Sequence, residues 1–114
     1  DQHGCPTWTM DLAAALVAMI RKMVSDRPGV PWGTYHFCGG GQTTWHGFAS
    51  AIIELARARE SLPVKTVTAI TTADYPTPAA RPTNSVLDCS RLAARFGIRP
   101  RPWRVGLEAL LDVR

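Results

Sequence analysis

Long apolar runs are missing from this sequence, since no stretch reaches the ~18 consecutive apolar residues of a membrane-spanning helix. We therefore expect no membrane span. The opening Asp-Gln-His-Gly has neither the basic nor the apolar region of a secretory signal, and the missing initiator Met suggests that the chain begins partway through a larger protein. Cysteine is also scarce. Three cysteines at wide spacing argue against a disulfide framework and for a reducing, cytoplasmic setting.

Catalytic and cofactor-binding signatures are absent as well. The sequence contains no G-x-G-x-x-G, no P-loop, no G-x-S-x-G and no H-E-x-x-H motif. Neither Tyr35 nor Tyr75 has a lysine four residues later. We therefore assign no catalytic residue and no cofactor-binding residue to this chain. Three consecutive glycines at positions 39–41 offer free amides to a phosphate, although a tight turn is the favoured interpretation.

Two His-x-Cys pairs raise the question of a metal site. His3 and Cys5 form one pair, and His36 and Cys38 form the other. Four such ligands suit tetrahedral zinc, but structural zinc sites usually contain closely spaced cysteine knuckles. Buried cysteines and hydrogen-bonded histidines are therefore the favoured interpretation, and we expect no metal ligand.

What the sequence does contain is typical of a globular domain. Its 114 residues are 46% hydrophobic and 19% charged, which is enough for one domain with a core. The net charge is +4, and the basic excess lies in the last third of the chain. A nucleic-acid surface of arginines around Trp103 is one interpretation. Because Trp103 is in helical phase with Leu107 and Leu110, a core position is favoured for it.

Hydrophobic periodicity predicts about four helices. Thr9 is expected to cap the first, at residues 10–24, whose apolar face must be buried. Thr43 or Thr44 is expected to cap the second, at residues 45–59. Asp88 is expected to cap a short third helix that ends before Gly97, and an amphipathic helix near the end of the chain is the fourth.

Short β-rich runs complete the predicted fold. The start of the chain has the character of a strand end, and residues 33–38 and 64–70 are rich in β-forming residues. Two or three short strands are therefore expected beside the helices. The fold class is predicted to be α/β, with α+β character in this fragment.

A proline-rich loop at residues 74–88, called the proline loop below, carries the candidate binding residues. Its three prolines exclude helix and hold the backbone semi-rigid. Its polar side chains suit a polar anionic ligand such as a sugar phosphate, although composition alone favours an ordinary surface connection. They are Tyr75, Arg81, Thr83, Asn84 and Ser85.

Five segments together resemble the C-terminal portion of the dTDP-4-dehydrorhamnose reductase family, in order and over essentially the whole chain. The most specific is Tyr-Pro-Thr-Pro-Ala-Ala-Arg-Pro-Thr-Asn-Ser-Val-Leu-Asp at 75–88. The others are Asp-Gln-His-Gly-Cys-Pro-Thr at 1–7, Asp-Leu-Ala-Ala-Ala at 11–15, Tyr-His-Phe-Cys-Gly at 35–39 and Thr-Trp-His-Gly-Phe-Ala at 44–49.

This resemblance implies an extended short-chain dehydrogenase/reductase. In that family an N-terminal Rossmann half binds NADPH, and a smaller C-terminal half holds the dTDP-sugar whose C4 ketone is reduced. The cofactor loop and the catalytic Tyr-x-x-x-Lys pair of the family are not in this sequence. The resemblance therefore implies that residues 1–114 are one nucleotide-sugar-binding domain, which binds no NADPH and is inactive when alone.

The family's substrate-binding positions carry over residue by residue. Arg81 is implied to contact the pyrophosphate, because its planar fork of donors suits phosphate oxygens. Asn84 and Ser85 are implied either to complete a polar shell or to fix their own loop. Tyr75, Gln2 and Thr7 are implied to lie near the ligand. Trp45 and His46 are expected to serve packing.

Two expectations about partners follow from the resemblance. The dTDP-sugar and the missing Rossmann half are the expected partners, and a fragment without that half is expected to expose apolar surface and self-associate. The alternative is a stand-alone basic module for nucleic acid or another polyanion, whose binding weakens steeply with salt.

Overall fold

Four α-helices form most of the regular structure, which a computed structural model describes for residues 1–113. The two β-strands are minimal, and the whole set of elements confirms an α/β class with about four helices and two short strands. In chain order the elements are β1 (His3–Gly4), α1 (Thr9–Ser25), β2 (Thr43–Thr44), α2 (Trp45–Arg57), a 3₁₀ turn (Thr72–Asp74), α3 (Ser90–Phe96) and α4 (Trp103–Asp112).

The beginnings of the helices agree with the sequence-based prediction in part. The Thr44 hydroxyl accepts a hydrogen bond from the amide of Gly47 at 3.0 Å, which confirms Thr44 as the cap of α2. The prediction for α1 was wrong by one residue, because Trp8 holds the cap position without a side-chain hydrogen bond and Thr9 is already helical. For α3 the cap position is Cys89, while the Asp88 carboxylate accepts from the Ser90 amide at 2.8 Å.

The helices also end where local chemistry stops them. Gly97 has a positive φ of 68° directly after α3, as the sequence predicted for a glycine that closes a helix. Helix α2 ends at Arg57, two residues earlier than expected. The Arg57 guanidinium donates to the backbone carbonyls of Val64 and Lys65, at 2.6 Å each.

The predicted strands at residues 33–38 and 64–70 are wrong as strands, because a strand requires a partner and neither segment has one within residues 1–113. In the second segment side chains of α2 take the place of a partner: His46 Nε2 lies 3.1 Å from the carbonyl oxygen of Val67. The sheet that does form is antiparallel, with His3 opposite Thr44 and Gly4 opposite Thr43.

The interior is small for a chain of this length. Leu92, at 1% exposure, is the most deeply buried large side chain. The other buried apolar residues are Ala15, Cys38, Ala51, Ala56, Phe96 and Leu107. At the edge of this core the rings of Phe48 and Trp103 meet edge to face at 5.8 Å, which supports the core interpretation of Trp103.

Helix α1 contradicts the prediction that its apolar face is buried. Ala15 is buried, but Ile20 is 58% exposed and a whole arc of the helix is apolar and open. A helix that is apolar on nearly all sides normally lies inside a larger structure. The exposed apolar residues are Met10, Leu12, Leu16, Val17, Ile20 and Val24, here called the α1 face.

The dimensions of the chain lead to the same conclusion. Its radius of gyration is 17.3 Å, whereas a compact domain of this length has about 13 Å. Its accessible surface is 8122 Å², against roughly 6,100 Å² for a folded monomer of this mass. The chain therefore exposes surface that a self-contained domain of its size buries.

Candidate functional site

The proline loop is fixed to β1 by hydrogen bonds at one residue. The His3 amide donates to the carbonyl of Thr83 at 2.8 Å, and the His3 carbonyl accepts from the Ser85 amide at 2.9 Å and the Ser85 hydroxyl at 3.1 Å. This parallel bridge places the loop beside β1. The other edge of β1 is paired with β2, which directly precedes α2. Three distant parts of the chain therefore meet at one place.

A first cavity of about 340 Å³ opens where these parts meet. Its walls come from β1 and the residues after it, from the start of α2, and from the proline loop. The side chains that line it mix apolar rings with hydrogen-bonding groups, as small-molecule sites do. They are Gln2, His3, Cys5, Pro6, Thr43, Thr44, Trp45, Phe48, Arg81, Pro82 and Ser85.

A second cavity of about 490 Å³ adjoins the first. It lies between α2 and the segment that ends in the 3₁₀ turn. Its lining includes the sequence-predicted residue Tyr75, which is exposed, together with His46 and a row of threonines. Gln2 extends into this wall, where its amide nitrogen donates to the Thr72 hydroxyl at 3.2 Å.

The 3₁₀ turn below the second cavity is held by a reciprocal cap. The Thr71 amide and the Thr71 hydroxyl both donate to Asp74 Oδ2 at 2.8 Å. The hydrogen bond from the Thr71 amide is the larger cause, and the hydrogen bond from the Thr71 hydroxyl the smaller, that hold the pKa of Asp74 below its usual value of 3.8. Asp1 accepts from the Thr72 amide at 3.0 Å, so the turn is also tied to the start of the chain.

Three residues line both cavities: Gln2, Trp45 and Arg81. Arg81 is exposed, and its guanidinium forms no hydrogen bond or ion pair with any residue in 1–113. Five donors and one positive charge are therefore available where the two cavities meet. That arrangement suits an anionic group flanked by two larger groups.

The structure thus brings together four of the six sequence-predicted binding residues. Gln2, Tyr75, Arg81 and Ser85 line the two cavities, although the Ser85 hydroxyl is engaged by His3.

The other two line neither cavity, and their side chains are bonded to backbone groups. Asn84 Oδ1 accepts from the Val86 amide at 3.0 Å. The Thr7 hydroxyl donates to the carbonyl of Cys5 and accepts from the Gly39 amide, both at 3.0 Å.

Trp45 is the residue whose role the sequence misjudged. It was expected to pack, yet 69% of it is exposed and it lines both cavities. Its place at the first position of α2 was visible in the sequence. What the sequence did not reveal is that the first turn of α2 lies outside the part of the helix that is buried, where Ala51 and Ala56 are.

The three glycines at 39–41 serve packing. The Gly39 amide donates to Thr7, and the Gly40 amide donates to the carbonyl of Arg101 at 2.8 Å. A Cβ at Gly39 would overlap the carbonyl oxygen of Pro6, and one at Gly40 would lie 2.9 Å from that of Arg101. Two of the three amides are therefore not free to receive a phosphate.

Two further sequence hypotheses are not supported by the geometry. Among the described residues, no group of three or more His, Cys, Asp or Glu side chains is placed to hold a metal ion. The two arginines that flank Trp103 are not free either, because Arg101 pairs with Asp11 and Arg104 with Glu54, both at 2.7 Å. Over residues 1–113 no helix is long and apolar enough to cross a membrane.

Comparison with protein families gives a match over the full sequence. Residues 1–114 match the RmlD substrate binding domain. A dTDP-4-dehydrorhamnose reductase of Aggregatibacter actinomycetemcomitans is 43% identical over 109 residues, which cover 95% of this chain and 37% of that protein. The chain thus spans a little over a third of the length of the relatives that it matches.

Solved structures agree with this match. A dTDP-4-dehydrorhamnose reductase from Clostridium acetobutylicum superposes with a TM-score of 0.83 at 34% identity, covering 99% of this chain and 36% of that one. A dTDP-4-dehydrorhamnose reductase from Bacillus anthracis, solved in complex with NADP, gives a TM-score of 0.78 at 27% identity with the same coverage.

Proposed function

The chain belongs to the RmlD substrate-binding-domain family, and from this premise we propose that residues 1–114 are the nucleotide-sugar-binding domain of a dTDP-4-dehydrorhamnose reductase. The complete enzyme would reduce dTDP-4-dehydro-L-rhamnose to dTDP-L-rhamnose with NADPH, in the cytoplasm. This domain would bind the substrate.

The observation that carries this proposal is the position of Arg81. Its unpaired guanidinium stands where the two cavities adjoin, and Gln2 and Trp45 border both of them. A dTDP-sugar has a diphosphate between a nucleoside and a hexose. The diphosphate would lie on the guanidinium, with the nucleoside and the sugar in the two cavities, because a bidentate donor is the best partner for phosphate oxygens.

Hydride transfer is assigned to the part of the enzyme outside this chain. The glycine run at 39–41 would offer NADPH little, since the amides of Gly39 and Gly40 are already bonded. The sequence has no Tyr-x-x-x-Lys pair to supply the proton. Reduction of a ketone requires the cofactor and an acid at near-attack distance. We therefore expect no turnover from residues 1–114 alone.

The α1 face would be the docking surface for the cofactor-binding half. The relatives have nearly two-thirds of their length outside the region that this chain matches. The chain has six exposed apolar side chains on one helix and an excess of surface for its mass. Residues 33–38, which have strand character without a partner strand, would pair with the sheet of the same half.

Arg81 is tested by calorimetric titration of the full-length protein with dTDP-L-rhamnose, the reaction product. Because a charged hydrogen bond contributes about 1.5–3 kcal/mol, Arg81→Ala should weaken binding by at least about tenfold. Arg81→Lys should recover part of the loss, since it restores charge without the planar fork. Arg99→Ala is the matched control, because Arg99 is an exposed arginine that lines neither cavity.

Measuring the NADPH affinity of the same variants distinguishes a local loss of sugar-nucleotide binding from a general loss of folded protein. Arg81→Ala should leave it unchanged. If the sugar nucleotide binds Arg81→Ala as tightly as the unaltered protein, the proposal is wrong. The polyanion alternative is less favoured because Arg101 and Arg104 are paired. It would be supported by equal affinity for dTDP and other phosphates and by a steep salt dependence.

A further inference from the structure

The three cysteines of this chain converge on one cavity although they are far apart in sequence. Cys5 follows β1, Cys38 precedes the three glycines, and Cys89 is the residue before α3. All three line a cavity of about 300 Å³, together with the glycines, Val86, Leu87 and Pro100. The substrate site described above uses neither Cys38 nor Cys89.

Two of these thiols are already in contact. The sulfur atoms of Cys38 and Cys89, 51 positions apart in the chain, lie 3.7 Å from each other. The Cys38 sulfur also lies 3.8 Å from the carbonyl oxygen of Leu87. Cys38 is buried at 6% exposure, whereas Cys89 is partly exposed. The pair therefore combines one thiol that solvent reaches with one that is held behind it.

We propose that Cys38 and Cys89 form a disulfide when the protein meets a hydroperoxide, so that this thiol pair is an oxidation site separate from the substrate cavities. The sulfurs need to approach by less than 2 Å to reach a bond length of about 2.05 Å. Cys5, the third thiol of the cavity, is outside the pair and serves as its internal comparison.

The chemistry balances as a two-electron oxidation of two thiols. The Cys89 thiolate attacks one peroxide oxygen, an S–O bond forms, the O–O bond breaks, and the leaving hydroxide takes up a proton as water. Cys38 then attacks the sulfenic sulfur, the S–S bond forms, and the S–O bond breaks to release a second water. The two protons come from the two thiols, and hydrogen peroxide is reduced to two waters.

The order of the two steps follows from the surroundings of Cys38. Burial, and then the neighbouring thiols of Cys89 and Cys5, raise the pKa of Cys38 to about 12. A thiol is a poor nucleophile while it keeps its proton. Cys38 therefore does not meet the peroxide first. It acts as the resolving thiol once Cys89 is oxidised, because the contact of the two sulfurs makes this second attack intramolecular and needs no encounter in solution.

The bond would join two segments that now touch without a covalent link. Cys38 lies just before the glycines that pack against residues 100–103, and Cys89 lies just after the proline loop. Oxidation would therefore fix the far end of the proline loop to the core. Because the cross-link closes a loop of about 50 residues, it restricts the unfolded chain, and the oxidised protein should unfold at a higher temperature than the reduced one.

Peptide mapping of the full-length protein after brief treatment with hydrogen peroxide tests the proposal. Lys65, among other trypsin sites, separates Cys38 from Cys89, so the disulfide appears as two linked tryptic peptides lighter by two hydrogen atoms. The unaltered protein and Cys5→Ser should both give the linked peptide. Cys89→Ser should abolish it, and dithiothreitol should reverse it.

Three results would overturn the proposal. One is stable sulfinic acid at Cys89 with no link to Cys38. Another is a link of Cys38 to Cys5, and the third is a link between two molecules. Mapping of the unaltered protein detects the first two results, and its mass on a non-reducing gel detects the third, so a folding defect in Cys89→Ser does not affect the outcome.

Discussion

Asp11 and Arg101 form an ion pair across the molecule, with Arg101 Nε 2.7 Å from Asp11 Oδ1. The arginine comes just before α4 and the aspartate lies in the first turn of α1. The Arg101 guanidinium also lies over the Trp8 ring, with its Cζ 5.2 Å from the ring centroid. The backbone carbonyl of Arg101 accepts a hydrogen bond from the Gly40 amide. This arginine therefore joins α1, the glycine run and the segment before α4.

We expect this pair to contribute measurably to stability. Asp11 is 18% exposed, so solvent screens the pair less than an open surface pair. A double-mutant cycle of Asp11→Ala and Arg101→Ala in the full-length protein, read by urea unfolding, should give a coupling of about 1 kcal/mol. The same cycle for Lys22 and Asp26, which are 3.8 Å apart and more exposed, should give less than about 0.5 kcal/mol. Equal couplings would contradict this assignment.

Trp45 should be a binding residue rather than a packing residue. It lines both cavities while largely exposed. Because stacking of a base on an aromatic ring contributes roughly 1–3 kcal/mol, Trp45→Ala should weaken dTDP-sugar binding about fivefold or more. Trp32→Ala is the control, since Trp32 is 73% exposed and lines neither cavity. A parallel loss of affinity in both variants would show that Trp45 has no specific role.

The α1 face should make residues 1–114 self-associate when they are produced without the rest of the protein. Analytical ultracentrifugation should detect dimers or larger species, because exposed apolar patches associate in water. Replacing Leu16 and Ile20 by Glu should shift the distribution toward monomer. Replacing Ala14 and Ala18 by Glu, an equally acidic change on the opposite side of the helix, should not. A strictly monomeric unaltered chain would contradict this prediction.

The proline loop should respond to acid through Asp74. Its pKa is lowered in the folded protein, so the carboxylate stabilises the 3₁₀ turn above pH 3.8, and this contribution is lost as the pH falls through the lower, folded-state pKa.

Carboxyl NMR of the full-length protein should find Asp74 titrating below 3.8. Thr71→Val should raise the pKa of Asp74 only in part, because the larger cause, the hydrogen bond from the Thr71 amide, remains. A normal Asp74 titration in the unaltered protein would contradict the cap.

Gly39 should tolerate no side chain. A Cβ there would overlap the carbonyl oxygen of Pro6 and lie 2.9 Å from the Cβ of Trp103. Gly39→Ala should therefore lower the free energy of unfolding by about 3 kcal/mol. Gly97→Ala is the comparison, since nothing lies within 4 Å of its Cβ position, and left-handed strain alone should cost about 1 kcal/mol. Similar losses at both positions would contradict a steric cause at Gly39.

The helices could be predicted from the sequence because their signals are local. Periodicity located all four, Thr44 was one of two candidate caps for α2, and Gly97 ends α3 with the expected positive φ. The strands could not be predicted in place, because pairing is a property of two segments. Residues 33–38 have strand character but no partner here, whereas the unremarkable pair Thr43–Thr44 forms a strand because His3 and Gly4 lie beside it.

In the candidate site, too, local features could be predicted and features that depend on the tertiary fold could not. Arg81 and its loop were singled out by the family resemblance, since residue type and proline spacing alone favoured an ordinary surface connection. The exposure of Trp45 and the internal bonding of Thr7 and Asn84 were not predictable, because they depend on which groups the tertiary fold brings near. The convergence of three cysteines could not be read from spacings of 33 and 51 positions.

The parallel bridge between His3 and Asn84 determines when the candidate site can exist during synthesis. The walls come from residues 1–6, 43–49 and 67–85. An N-terminal segment that ends before residue 85 therefore lacks part of the site. Contacts that span 80 positions form slowly because the loop between them must first close. A nascent chain cannot bind the ligand before the proline loop leaves the ribosome. Ligand added during refolding should therefore affect the late steps and leave early helix formation unchanged.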